Sequence, residues 1–269
     1  MREKLLLQRV PSLEALQKWN LWLGIVFALQ AIAIVVVGSS QLAPLTSSFL
    51  NLDSLRSTTS GSAVLAPATH HLFDLNLLLI PFIVMLVLAA THLSQATWYR
   101  ARYESGLRRN NNLLRWLSYG LTANLLFVAL AVLSGVYDIA TLLLILVLGV
   151  MLHLLCLSVE RMVGSRGRLK NIAWANYALL WLAGLGMWLI VVIYLLGDNV
   201  YGAGHIPARV YWLALSAAVT AACFAFGLVR QILLPKSGQR YRLTEQRYAL
   251  LILLTSSLLV WQIVAGTMH

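Results

Sequence analysis

The stretch LLRWLSYGLTANLLFVALAVLSGVYDIATLLLILVLGVMLHLLCLS, from Leu113 to Ser158, decides the fold. It contains two apolar runs, Leu113 to Ser134 and Ile139 to Ser158. Each run is close to the roughly 20 residues that an α-helix needs to cross a bilayer. Because only the turn from Gly135 to Asp138 separates them, we predict two adjacent, antiparallel transmembrane helices.

Five more apolar runs of similar length flank this pair. They are Trp19 to Val37, Phe73 to Ala96, Ile172 to Leu196, Val210 to Leu234 and Tyr248 to Ala265. The chain is 60% hydrophobic and 11% charged, which lies outside the usual composition of soluble domains. We therefore predict an all-α membrane protein whose residues 1–269 form a single seven-helix transmembrane domain.

The basic residues are distributed unevenly between the two ends of the predicted bundle. Eighteen of the 20 Lys and Arg residues fall in the N-terminal arm and in alternate connections, which leaves Arg56 and Arg209 at the other end. Basic connections face the cytoplasm, so the pattern predicts a multi-pass protein of the cell membrane with its N-terminus inside and its C-terminus outside. The net charge of +11 then favours the anionic lipid bilayer, or an acidic protein partner in the cytoplasm, over nucleic acid.

Two segments outside the predicted spans have features of their own. In the cytoplasmic arm, residues 1–18, the residues from Leu13 onward suggest a short interfacial helix that precedes the first span. The external segment 38–71 alternates apolar and small residues. It could form a two-stranded hairpin or an irregular loop, and the pattern favours neither.

Reactive groups are scarce within the predicted spans. All nine acids and all four lysines map to loops, arms or helix ends, so the spans offer no proton relay and no amine. Cys156 and Cys223 lie in predicted helices and are interpreted as buried free thiols. His92 and His153 are interpreted as structural, hydrogen-bonded side chains. We predict no catalytic residues, no metal site and no enzymatic activity.

Several motifs of the chain resemble those of the heliorhodopsins. They are RWLSYGLTANLLFVALAVLSGVYDIATL from Arg115 to Leu142, WQIVAG from Trp261 to Gly266, WNLWLGIVFALQ from Trp19 to Gln30, and AGLGMW from Ala183 to Trp188. Heliorhodopsins are seven-helix retinal proteins with a cytoplasmic N-terminus. The resemblance therefore agrees with the orientation that the charges predict.

The resemblance also implies that two functional residues of the family are replaced in this chain. In the family, a lysine five residues before the Trp-Gln pair binds retinal as a Schiff base, and Ser256 stands at that position. The counterion glutamate, between the Arg-Trp pair and the next tyrosine, corresponds to Ser118. The family's histidine in the first helix falls on Phe27, whereas its histidine in the second helix is retained as His92.

These replacements are physically consistent with each other. A buried carboxylate without its cation pays a desolvation cost of several kcal/mol, so losing the lysine favours losing the glutamate as well. The resemblance thus implies a divergent member that binds no covalent retinal.

Two functions remain open at this point. The first is a sensory or regulatory binding protein with a non-covalent ligand in the bundle: retinal, another polyene or a lipid. The candidate pocket residues are His92, Tyr119, Thr122, Trp188, Thr255, Ser257 and Trp261. The second is a chromophore-free scaffold that acts through its basic cytoplasmic face and a dimer interface. For either function the resemblance implies a homodimer and signalling rather than ion pumping.

Overall fold

The computed structural model describes residues 10–162, 168–202, 206–233 and 238–267. Within these residues the chain forms nine helices and one two-stranded sheet. The elements are α1 (Leu13–Val37), β1 (Leu42–Leu52), α2 (Ser54–Ser60), β2 (Leu65–Asn76), α3 (Leu79–Ala96), α4 (Arg100–Arg108), α5 (Leu113–Leu133), α6 (Ile139–Met162), α7 (Arg168–Tyr201), α8 (Ala208–Leu233) and α9 (Gly238–Thr267). Seven of them, α1, α3 and α5 to α9, are long and apolar enough to cross a membrane. The chain is a multi-pass, seven-helix membrane protein, as predicted.

The first transmembrane helix is longer than the sequence indicated. Ser12 caps its N-terminus by accepting a hydrogen bond from the backbone N–H of Ala15 at 3.0 Å, and the helix then runs without interruption to Val37. The helix predicted from Leu13 is present, and it forms the first turns of α1 rather than a short helix of its own. Residues 1–9 of the arm lie outside the described part of the chain.

The segment between the first two spans is a β-hairpin, one of the two alternatives that the sequence left open. β1 and β2 pair antiparallel, from Leu42 opposite Asn76 to Leu52 opposite Leu65, with a bulge between Leu45 and Thr46. The predicted start of the second span at Phe73 is wrong, because Phe73 pairs with Leu45 in the sheet. Apolar residues at the end of a strand and at the start of a helix form one continuous run in the sequence, so composition alone does not separate them.

The tight turn between α5 and α6 is confirmed, and the hairpin is attached to it. Gly135 has a φ of +94°, which a glycine adopts without steric cost. The backbone N–H of Thr46 donates to the carbonyl oxygen of Tyr137 at 2.9 Å. This contact joins the hairpin to the end of the bundle at which α5 ends and α6 begins.

Helix packing is uneven around the bundle. The largest core cluster centres on α1, α3, α5 and α9, and includes the fully buried residues Phe27, Val84, Ala129 and Val260. The outer faces of α7 and α8 remain exposed, as at Leu185 and Trp212, whose exposed fractions are 58% and 63%. Large exposed apolar side chains on transmembrane helices contact lipid.

Cys156 is buried, as predicted, whereas the prediction for Cys223 is wrong because Cys223 is exposed on α8. An apolar helix that borders lipid has the same composition on its inner and outer faces, so the sequence pattern did not distinguish them. Two other features were also missed. The sequence analysis did not predict α4, and α9 begins ten residues before the predicted Tyr248.

Candidate functional site

A cavity of about 390 Å³ lies within the bundle, between α5, α6, α7, α8 and α9. Its lining is mainly apolar and aromatic, and includes Tyr119, Leu152, Trp188, Phe224 and Leu259. Volumes of roughly 300–1,000 Å³ with such a lining are typical of small-molecule sites. The cavity is therefore the candidate functional site.

Ser256, at the position that the resemblance assigns to the family's lysine, lines this cavity and is 2% exposed. Its neighbour Thr255 also lines the cavity, while its hydroxyl donates to the carbonyl oxygen of Leu251 at 2.7 Å. The hydroxyl of Ser257 is buried without a hydrogen-bond partner among the described residues. The three adjacent hydroxyls thus have different surroundings, and Ser256 and Thr255 are the two that reach the cavity.

Aromatic contacts shape the cavity wall. The ring of Tyr119 stacks on Phe224 with centroids 4.2 Å apart, and contacts the ring of His153 edge-on at 5.8 Å. Trp188 meets Phe127 edge-on at 5.2 Å. Such pairs restrict the rings to fixed orientations and make a firm apolar surface.

Of the predicted site residues, Tyr119, Trp188, Thr255 and Ser256 line the cavity, and the others lie elsewhere. Ser118 and Thr122 are buried on α5, where their hydroxyls donate to carbonyl oxygens of their own helix, those of Arg115 and Tyr119. Trp261 donates from its indole N–H to Oε1 of Gln30 at 3.0 Å. None of these three residues lines the cavity.

His92 forms a separate buried site with residues of α1. Its Nδ1 lies 2.7 Å from Oδ1 of Asn20, and its ring stacks on Phe27 with centroids 5.5 Å apart. The two positions that the resemblance assigns to the family's histidines are therefore in direct contact, although one now carries a phenyl ring. The stacked Phe27 ring makes no hydrogen bond, which leaves Asn20 as the polar partner of His92.

A buried ionic cluster lies at the end of the bundle opposite the hairpin, and the sequence analysis missed it. Arg115 of α5 pairs with Glu160 of α6 and with Glu245 of α9. The three side chains are at most 5% exposed. Sequence analysis assigned both acids to loops or helix ends, where water would solvate them.

Polar and aromatic neighbours complete this cluster. The Trp116 indole donates to Glu160, as does the hydroxyl of Tyr241 at 2.9 Å. The amide of Asn112 donates to Glu245 at 2.5 Å. Each carboxylate therefore accepts hydrogen bonds from the guanidinium and from at least one neutral donor, which is the condition for keeping charge inside a protein.

The helical period of α9 is the signal that could have located this cluster. Tyr241, Glu245, Tyr248, Ile252 and Ser256 recur every three or four residues, and all five are buried. Residues with this spacing share one face of a helix. One buried stripe of α9 thus runs from the ionic cluster to the cavity.

The short helix α4 packs beside the cluster outside the transmembrane helices. Its Tyr103 and Leu107 are buried together with Leu16 of α1 and Tyr241 of α9. Burial raises the pKa of the Tyr103 hydroxyl above its ordinary value, and the negative charge of Glu245 raises it further. Tyr103 therefore stays protonated and closes the cluster from that side.

Comparison with known proteins adds one finding. The family model described as heliorhodopsin matches residues 16–268, nearly the whole chain. Among curated proteins there is no significant match. The matched range includes every residue of the cavity and of the ionic cluster.

Proposed function

The chain belongs to the heliorhodopsin family, and from that premise we propose that it holds a hydrophobic ligand in the cavity without a covalent bond. The observation that carries the proposal is the buried serine at the cavity wall, Ser256, where the family resemblance assigns the retinal-binding lysine. A Schiff base needs an amine, and the described residues that line the cavity include no lysine. Lys18 and Lys170 are exposed, and Lys4 and Lys236 lie outside the described residues.

The cavity lining supports an apolar ligand that enters from the bilayer. The cavity is bounded partly by residues that are exposed on the outer faces of α7 and α8, among them Leu185, Ala218 and Ala221. A cavity bounded by lipid-facing residues can exchange a hydrophobic molecule with the membrane. Retinal, another polyene or a lipid hydrocarbon fits this composition.

An absorption spectrum tests the proposal. The detergent-purified chain is expressed with and without all-trans retinal, and its spectrum is measured before and after hydroxylamine. We expect retained retinal to absorb in the near ultraviolet, with no visible band that hydroxylamine removes. A hydroxylamine-sensitive visible band, or a borohydride-trapped adduct on any lysine in peptide mass spectrometry, would overturn the non-covalent assignment.

A double substitution tests whether the site retains the family's geometry. We expect Ser256→Lys with Ser118→Glu to form a hydroxylamine-sensitive visible pigment with added retinal, because it supplies both the amine and the counterion. Ser257→Lys with Ser118→Glu is the matched control. It places the lysine one residue further along α9, about 100° around the helix, and should form no pigment. Failure of the folded Ser256 variant to bind retinal would contradict a retained cavity.

We further propose that ligand binding has a regulatory role and that the protein does not pump ions. The described cavity lining includes no carboxylate that could relay protons. Aromatic contacts lead from the cavity to the ionic cluster: Phe224 stacks on Tyr248 with centroids 5.8 Å apart, and the guanidinium of Arg115 lies 4.5 Å from the Tyr248 ring centroid. A ligand that shifts Phe224 would therefore also displace Tyr248 and change the contacts of the ionic cluster that joins α5, α6 and α9.

The alternative function, a scaffold that acts as a homodimer, has one observation in its favour. The outer half of the hairpin exposes Leu50, Leu52 and Leu65 on one face of the sheet, each more than half exposed. Contiguous exposed apolar surface favours association. We propose that a second copy covers this surface, while a cytoplasmic partner binds the basic face.

Light scattering of the detergent-purified protein should give a dimer, and Leu50→Ser with Leu52→Ser should give a monomer. Ser48→Ala, on the same strand, is the control.

A further inference from the structure

Two polar side chains in the cavity wall are held by reciprocal glycine contacts between α5 and α6. Asn124 of α5 packs against Gly149 of α6, where an added Cβ would overlap the Asn124 amide. His153 of α6 packs against Gly120 of α5, where an added Cβ would lie 3.0 Å from Cβ and Cγ of the histidine. On each helix the glycine and the polar residue are four positions apart, so they lie on one face. The two helices therefore approach closely and fix both side chains.

The amide of Asn124 is incompletely hydrogen-bonded. The residue is 4% exposed and lines the cavity, and its Oδ1 has no hydrogen-bond partner within the described chain. Leaving a buried acceptor unpaired typically costs on the order of 1–3 kcal/mol. That oxygen is enclosed and faces Gly149, so the amide N–H is the group of Asn124 that a ligand in the cavity can use.

His153 supplies an acceptor on the same wall. Its Nδ1 lies 2.8 Å from the carbonyl oxygen of Gly149, and a carbonyl only accepts, so Nδ1 carries the hydrogen. In the uncharged ring, the form that a membrane interior favours, Nε2 is then a lone-pair acceptor. His153 lines the cavity, and the described residues provide no donor to its Nε2.

We infer that Asn124 and His153 form a polar subsite that selects apolar ligands carrying a hydroxyl group. A ligand O–H donates to Nε2 of His153, and its oxygen accepts from the Asn124 amide N–H. An aldehyde, an ether or a hydrocarbon has no hydrogen to donate and leaves Nε2 of His153 unpaired. The inference rests on the proposed non-covalent binding function and specifies its ligand as a long-chain or polyene alcohol.

The experiment compares two probes that differ in one donor hydrogen. All-trans retinol and its methyl ether are titrated into the purified full-length protein, with quenching of tryptophan fluorescence as the readout, since Trp181 and Trp188 line the cavity. We expect retinol to bind about tenfold more tightly, because one net hydrogen bond corresponds to about that factor. All-trans retinal should bind like the ether.

Variants then locate the preference. His153→Phe should reduce the ratio of the two affinities, by weakening retinol binding while ether binding stays within about twofold. Asn124→Leu removes the amide N–H from which the oxygen of either probe accepts, so it should weaken binding of both probes and leave their ratio unchanged. Thr220→Val is the matched control, because Thr220 also lines the cavity and is buried, but on α8. It should keep the full preference.

The outcomes separate the inference from the function on which it rests. Equal affinity of the unmodified protein for both probes would overturn the hydroxyl subsite and leave non-covalent binding standing. A preference that persists in His153→Phe, or unchanged binding of both probes in Asn124→Leu, would likewise overturn the assignment to these two residues. If the folded protein binds neither probe, the subsite and the proposed binding function fail together. The comparison of probes on the unmodified chain needs no variant, so a misfolded variant does not remove the test.

Discussion

The ionic cluster and the cavity lie along the same buried face of α9, but they differ in charge: α9 contributes a glutamate to the cluster and a neutral serine to the cavity. Glu245 is ionically paired with Arg115 and hydrogen-bonded to Asn112. Eleven positions later, Ser256 is equally buried and carries no charge. Breaking a buried ion pair by removing one partner is strongly destabilising. The comparison shows that this chain keeps buried charge where opposite charges are paired, at Arg115, Glu160 and Glu245, and has a neutral serine at the position that the resemblance assigns to the lysine.

The α5 side of the two regions supports the same conclusion. Arg115 and Ser118 are one helical turn apart, and the Ser118 hydroxyl donates to the carbonyl oxygen of Arg115 at 3.2 Å. One turn therefore contains both a charge with two carboxylate partners and the neutral residue at the position that the resemblance assigns to the counterion. Ser118 satisfies its own hydroxyl within the helix, so a neutral residue costs little there.

The largest effect is expected from breaking the cluster. Arg115→Met leaves Glu160 and Glu245 buried together without a cation, and we expect a loss of about 3–5 kcal/mol of stability. The measurement is the thermal unfolding midpoint of the detergent-purified protein.

Arg56→Met is the control for that variant, because Arg56 pairs with Asp53 in the exposed hairpin connection. Exposed pairs contribute about 0–1 kcal/mol, so its midpoint should barely move. Similar midpoints for the two variants would contradict the distinction between the cluster and an ordinary surface pair.

An intermediate effect is expected at the cavity wall. Gly149→Ala places a methyl group against the Asn124 amide, and we expect a loss of about 1–3 kcal/mol together with weaker retinol binding. Gly197→Ala on α7 is the matched control, since an added Cβ there meets no atom within 4 Å. If Gly149→Ala is as stable as the control, the contact between Asn124 and Gly149 can relax to accept a methyl group, and the cavity wall is less rigid than the cluster.

The seven spans and the cavity position of Ser256 could be predicted from sequence, for different reasons. Long apolar runs determine the spans through the thickness of the bilayer. The WQIVAG motif located Ser256, and the structure then brought Ser256 together with Tyr119, Trp188 and Thr255.

Other features depend on information that composition does not contain. The early turns of α9 carry several charges, which hide a buried stripe from a hydropathy window. The roles of Asn124 and His153 depend on where α5 and α6 cross, because each side chain packs against a glycine of the other helix. Such a crossing point is set by packing in three dimensions, and no local pattern specifies it.

The smallest effect is expected at Tyr103, at the edge of the cluster, where the change in stability depends on pH. Tyr103 is 5% exposed, and its pKa is raised by burial and then by Glu245, while the side chain of Asn20 lowers it by a smaller amount. The ordinary tyrosine pKa is about 10, so above that pH the unfolded chain loses this proton while the folded chain keeps it. Stability that is fully present below about pH 10 must therefore fall as the pH rises further. At pH 8 we expect Tyr103→Phe to be less stable by about 1 kcal/mol, because it loses the interaction of the hydroxyl with the Asn20 side chain. Between about pH 9 and about pH 11, on either side of the ordinary tyrosine pKa, its unfolding midpoint should decline less steeply than that of the unmodified protein. The two curves should therefore converge.

Tyr201→Phe, at a position 90% exposed, should follow the unmodified curve throughout. Parallel curves for Tyr103→Phe and the unmodified protein would mean that Tyr103 is solvated in solution, and that the cluster is closed by Tyr241 and Asn112 without the help of α4.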